Sequence, residues 1–124
     1  MIATLTVLGK PFTSNDERRS HWRTTAKIRR DTRQHARLLT LATIKRGTAW
    51  VWPVTVTVVD ECRTARLRDV GAAAPHVKAI IDGITDSGRI WLDDSPDYVG
   101  AIQFLAPRKT GTDQLVIEIR SADG

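Results

Sequence analysis

The sequence predicts an α/β (α+β) fold: a mixed four-stranded sheet packed by two helices, in the order β-α-β-α-β-β. Three observations carry that expectation. Four short segments show the alternation or β-branched enrichment of half-buried strands. The stretch from Ser20 to Arg46 lacks Gly and Pro and is dominated by helix formers. A second apolar stripe at helical spacing lies between Pro75 and Gly88. At 124 residues the chain reads as a single small domain, 1–124, long enough to bury a real core. Its 41% hydrophobic and 27% charged residues are a globular mixture, which argues against a disordered polyampholyte.

Ile2 to Leu8 reads as the first strand, ended by Gly9-Lys10-Pro11. Pro11 to Asp16 reads as a loop. Ser14 or Ser20 is placed to cap the first helix, and Ser14 has Glu17 three residues on, the capping-box spacing. The long helix runs from about Ser20 to Arg46, with Gly47 as its stop. Its C-terminal half offers an apolar stripe of Leu38, Leu39, Leu41 and Ala42. Its N-terminal half presents a partly basic face through Trp22, Ala26, Arg29 and Arg33. The second strand, Pro53 to Asp60, alternates Val54, Val56 and Val58 with threonines. Pro75 to Asp86 is the second helix, Pro75 at its first turn and Val77, Ile80, Ile81 and Ile84 as its buried stripe. Tyr98 to Leu105 is the third strand, Pro107 to Thr112 a turn, and Gln114 to Arg120 the last strand.

The net charge of +5 is unevenly distributed. Ten Lys or Arg residues lie from Arg18 to Arg46, opposed only by Glu17 and Asp31, a local net of +8 that leaves −3 for the rest. A basic segment beside an acidic remainder suits a nucleic-acid partner, and equally a solvated basic helix. No apolar run reaches the length of a membrane span. No secretory leader is evident, and the single cysteine, Cys62, rules out an internal disulfide or a thiolate cluster. These points lead us to expect a cytoplasmic protein with no membrane partner.

The common phosphate-cradling loops are absent, and so is the nucleophile elbow. His21, His35 and His76 lack the i,i+4 pairing of a helical zinc site. The carboxylates say more, because eight of fourteen fall between Asp60 and Asp97. The adjacent Asp93 and Asp94 offer the hard oxygens Mg²⁺ takes, though the same segment also reads as a polar turn. Lys78 stands four residues before Asp82, which makes it either a surface helix pair or a cation beside a scissile phosphate. Trp22 and Trp91 are candidates for stacking on a nucleic acid, or for core and interface packing.

The segment Arg68-Asp69, then Pro75-His76-Val77-Lys78-Ala79-Ile80-Ile81-Asp82-Gly83-Ile84, Ser87-Gly88 and Leu92-Asp93-Asp94, resembles the RusA family of crossover-junction endonucleases. It is most similar to the variant common in actinobacteria and their phages. Pro11 to Asn15 and His21-Trp22 ahead of a basic helix are similar too, so the resemblance spans about Leu8 to Ile119. It implies a small homodimer that binds four-way (Holliday) junction DNA by shape in recombination and repair and cuts it with Mg²⁺ or Mn²⁺. Carried over by position, Asp69, Lys78 and Asp94 match the catalytic set. Asp69, Asp93 and Asp94 are the implied metal ligands, and Asp82 matches a helical aspartate of the family. Arg18, Arg19, Arg23, Arg29, Arg30, Arg33 and Arg68 are the expected DNA contacts. This chain departs from the family pattern at Gly71, where a second acid is expected, and at Ala72, where the variant carries Asn. Those departures keep a catalytically weak or inactive junction-binding dimer as an alternative. Cleavage of flaps or RNA, and a plain structural role for the basic helix, also remain open.

Overall fold

The computed structural model describes residues 1–123. Strand β1 (Ile2–Leu8) pairs antiparallel with the last strand, β5 (Gln114–Arg120). In both, alternate residues point inward: Leu5 and Val7 in β1, Leu115, Ile117 and Ile119 in β5. β5 pairs on its other edge with β2 (Val54–Cys62), also antiparallel. β3 (Val99–Phe104) then lies parallel to β2, so the intervening segment has to cross over the sheet. It does so through α3 (Ala74–Ser87), whose Val77, Ile80, Ile81 and Ile84 are all buried. The sheet order is β1-β5-β2-β3.

The domain is α/β as expected, with one more strand and one more helix. β4 (Arg108–Lys109) lies within the segment expected to be only a turn. It pairs with Glu61 and Cys62 and extends the edge that β3 occupies at Val54 to Val58. A two-residue strand has no periodicity for a sequence reading to detect. The extra helix is α1 (Ser14–Arg19), separated from α2 (Trp22–Thr43) by extended backbone at Ser20 and His21. Neither serine is the N-cap of α1: Ser14 is its first residue and Ser20 its C-cap. Thr13 accepts from the Asp16 N–H while the Asp16 carboxylate accepts from the Thr13 N–H, a reciprocal capping box. The His21 ring nitrogen Nδ1 accepts from the Arg23 N–H and caps α2.

The apolar stripe expected on the C-terminal half of α2 is only partly its buried face: Leu39 packs against the core and Leu41 is half-buried. Leu38 and Ala42 are exposed, and the fully buried residues are Thr25, Ala36 and Thr40. Small residues are needed there because α3 comes very close, with Gly83 against Ala36. The buried Thr40 hydroxyl is satisfied by donating to the Ala36 carbonyl. α3 starts at Ala74, which makes Pro75 its second residue, and ends at Gly88 in the left-handed conformation (φ 64°).

β2 extends past its expected end at Asp60 to Cys62 because two buried acids are neutralised in place. Asp60 accepts from Arg68 Nη2 at 2.7 Å and from Arg68 Nε at 2.9 Å. Glu61 accepts from Arg108 and Gln114. Arg68, expected on DNA, is thus turned inward with 17% of its side chain exposed. Its guanidinium is held above its ordinary pKa, chiefly by the Asp60 hydrogen bond. Arg68→Ala is expected to destabilise the fold by about 3 kcal/mol, because it strands a buried carboxylate. Urea unfolding measures this, and a loss below about 1 kcal/mol would show that the pair is not a structural one. Among the described residues no helix is long and apolar enough to cross a membrane.

Candidate functional site

The groove between the N-terminal half of α2 and the start of α3 has a volume of about 660 Å³ and is lined by Glu17, Arg29, Arg30, Arg33, Lys78 and Asp82, among others. α2 supplies the arginines because its inward face is used up by Thr25 and Ala36. Arg29 and Arg33 then fall at the rim facing α3. Lys78 and Asp82, one turn apart on α3, face back across the groove.

Lys78 is the centre of the acidic cluster. Its Nζ donates to Asp82 Oδ1 at 3.1 Å and to Asp94 Oδ2 at 2.9 Å. Asp94 is brought there from sixteen residues away. The buried Trp91 anchors its segment, donating from its indole N–H to the Thr85 hydroxyl of α3 at 2.7 Å. The two carboxylates raise the Lys78 pKa, Asp94 more than Asp82, so the ammonium stays charged. Asp93 is turned away. Its carboxylate accepts from the Ser95 N–H at 2.8 Å, and the Ser95 hydrogen bonds hold its pKa below the ordinary carboxylate value.

Asp69 is not part of this cluster. It is exposed in the loop before α3, where its carbonyl accepts from the Ala72 N–H. It lines a different hollow, with Asn15, Arg18 and Arg66. The expected ligand set of Asp69, Asp93 and Asp94 therefore does not assemble within one chain. Among the described residues no group of three or more His, Cys, Asp or Glu is placed to hold a metal ion. The donor chemistry at Asp82 and Asp94 still fits Mg²⁺ or Mn²⁺. Both carboxylates are partly exposed, 32% and 42%, and both reach the same ammonium. A hard divalent ion that shares its shell with phosphate oxygens and water needs only one or two such groups.

Besides Arg68, two more of the expected DNA arginines carry acidic partners. Arg33 makes a two-pronged pair with Asp86, at 2.5 and 2.8 Å, which raises its pKa and lowers that of Asp86. Arg29 pairs with Glu17 at 2.5 Å. Arg23, Arg30 and Arg37 form no ion pair among the described residues. Seven residues apart, they share one face of α2. Arg37 belongs to the basic segment, but only this spacing singles it out. Arg18 donates to the Asn15 side chain, and Arg19 is exposed in the last turn of α1. The two tryptophans separate clearly. Trp91 is core, whereas Trp22 is 69% exposed beside the groove, with the Arg23 guanidinium 5.2 Å from its ring centre.

No protein-family model matches the chain, and no curated protein matches it.

Proposed function

We propose that the protein is a divalent-metal-dependent endonuclease acting on branched DNA. Its reactive centre is Lys78 with Asp82 and Asp94, and α2 holds the DNA. The observation that carries this reading is the meeting of Lys78 with both carboxylates in a groove walled by an arginine-bearing helix. The resemblance of the Arg68 to Asp94 segment to crossover-junction endonucleases supports it from the sequence side.

Asp82 and Asp94 would hold Mg²⁺ or Mn²⁺, which supplies activated water and polarisation of the phosphodiester. Lys78 stabilises negative charge on the phosphate as it builds up. Arg23, Arg30 and Arg37 grip the backbone of one strand. Arg33 joins them by trading its exposed partner Asp86 for phosphate, an exchange of pairs worth about 0–1 kcal/mol. Such contacts position DNA without reading its sequence. Paired cuts across a symmetric junction call for two such centres, so the acting form is a dimer of this chain.

A second reading, junction binding without cleavage, is favoured by the occupation of both carboxylates by the Lys78 ammonium and by the absence of an acid at Gly71. One experiment separates the two. Purified protein is titrated onto a synthetic four-way junction and onto a linear duplex of the same arms, first in EDTA and then with Mg²⁺ or Mn²⁺. The nuclease reading expects junction preference in EDTA and paired nicks with metal. Tight binding with no nicks under either metal establishes the second reading, and no binding at low salt removes both. Changing Arg23, Arg30 and Arg37 together to Gln should reduce the dependence of log affinity on log salt by about 2–3, as expected for three lost phosphate contacts. An unchanged slope would take α2 out of the interface.

A further inference from the structure

We infer that the protein carries a second phosphate-backbone track on another flank of α1, built from Lys10, Arg18, Arg63 and Arg66, so that one chain holds two arms of a branched DNA. This rests on the nucleic-acid reading above and adds a site to it.

Two hollows of about 460 and 560 Å³ lie beside α1 and the loop that follows β2. Their linings share Thr13, Arg66, Leu67 and Arg68, so the two hollows adjoin along these residues as one trough-like flank. α1 divides this trough from the α2–α3 groove. Glu17 lines the groove and Arg18 lines the trough, as neighbouring positions about 100° apart on a helix allow.

Charge distinguishes the two surfaces. In the groove, Arg29, Arg33 and Lys78 have carboxylate partners and Arg30 alone of its basic residues has none among the described residues. In the trough, Lys10, Arg63 and Arg66 form no ion pair among the described residues, and Arg18 meets only the neutral Asn15 amide. The trough also holds acids, but most are engaged. The Asp16 carboxylate closes the α1 capping box. Asp113 accepts from the Arg63 backbone N–H and lies 3.5 Å from Arg68, which also neutralises Asp60. Backbone hydrogen bonds, from Thr13 to Asp16 and from Arg63 to Asp113, hold both carboxylates below their ordinary pKa, with smaller contributions from the charges of Arg19 on Asp16, Arg68 on Asp113 and Lys10 on both. Asp69 alone presents an exposed carboxylate with no side-chain hydrogen bond among the described residues.

Unpaired guanidinium groups suit phosphate, which they can grip with two parallel hydrogen bonds. A linear duplex offers backbone along one direction, and the groove side of α1 suffices for it. A four-way junction offers a second arm at an angle to the first. A second track one helix away is where that arm would lie.

The test is the double variant Arg63→Gln/Arg66→Gln. Both side chains are exposed and unpaired, so its melting temperature should match that of the parent. In EDTA, its affinity for linear duplex should stay within about threefold. Its affinity for the junction should fall tenfold or more, with the salt slope lower by about 2. Equal losses on both DNAs would overturn the inference, because one continuous surface would then serve every substrate. Unchanged junction affinity and slope would overturn it as well, while leaving the α2 reading intact. Failure of the parent protein to bind either DNA would instead remove the reading on which the inference rests.

Discussion

Lys78→Met and Asp94→Asn should each slow junction cleavage by about 100-fold or more, yet shift metal affinity in opposite directions. The expected size follows from removing one charged group aimed at a reacting phosphate. The opposite signs follow from geometry. In the parent, the Lys78 ammonium sits within 3.1 Å of Asp82 and 2.9 Å of Asp94. A metal ion drawn to those oxygens has to compete with a resident cation. Removing the cation leaves two carboxylates facing each other without compensation, which favours a divalent ion. Asp94→Asn removes one of the two donors and leaves Lys78 paired with Asp82 alone. Mn²⁺ titration followed by electron paramagnetic resonance should therefore show tighter binding in Lys78→Met and weaker binding in Asp94→Asn. Junction affinity in EDTA should change little in either. If both variants cut like the parent, the cluster is a surface ion-pair network and the chemistry lies elsewhere. If cleavage is lost but Mn²⁺ affinity moves the same way in both, the carboxylates do not form the ion's site.

The sequence was most legible where one local rule and the global fold agreed. α3 combines a proline in its first turn, an apolar stripe at helical spacing and a glycine stop, and it forms within a residue or two of where these place it. β1, β2 and β5 show period-two alternation, and their inward residues are the core. Legibility failed where long-range partners decide. β2 keeps two acids in its last turns of pleat only because Arg68, Arg108 and Gln114 arrive from elsewhere in the chain. The inward face of α2 is small and polar because of how closely α3 approaches, which leucine spacing within α2 cannot reveal.

The site divides in the same way. Lys78 and Asp82 are one helical turn apart, so their pairing is local and readable. Asp94 joins them through a tertiary device, the Trp91 to Thr85 hydrogen bond; the adjacent acids marked Asp94 as a candidate, but only the resemblance grouped it with Lys78. Asp69 shows the limit of that resemblance. Matching it by order along the chain placed it with Asp94, yet the turn through Gly71, where φ is 79°, sets it on a separate wall. The same turn is where the second acid of the pattern is missing.

Gly83→Ala should lower the stability of the fold by about 3 kcal/mol or more, although helix propensity alone predicts a gain of about 1 kcal/mol. The larger effect is packing. A β-carbon at position 83 would lie 2.2 Å from the Arg33 carbonyl oxygen, 2.7 Å from the Ala36 β-carbon and 2.9 Å from the Arg37 nitrogen. Two of these three are backbone atoms of α2, so no side-chain rotation relieves the contact and the helices have to separate. Overpacking of this kind costs about 1–3 kcal/mol even where side chains can yield. Against a total stability of about 5–15 kcal/mol, the loss is a large fraction. Adding Ala36→Gly should restore only part of it, because the clash with the Arg33 carbonyl remains. The effect reaches the site as well. Arg33 is on the α2 side of the contact and Asp82 is one residue from Gly83, so moving the helices apart widens the groove between the arginines and the acidic cluster. A folded Gly83→Ala protein should accordingly bind linear duplex more weakly than the parent while its trough residues, Arg63 and Arg66, are undisturbed. Urea unfolding read alongside duplex affinity checks both halves. Parent-like stability would show that α2 and α3 do not meet as closely as Gly83 permits.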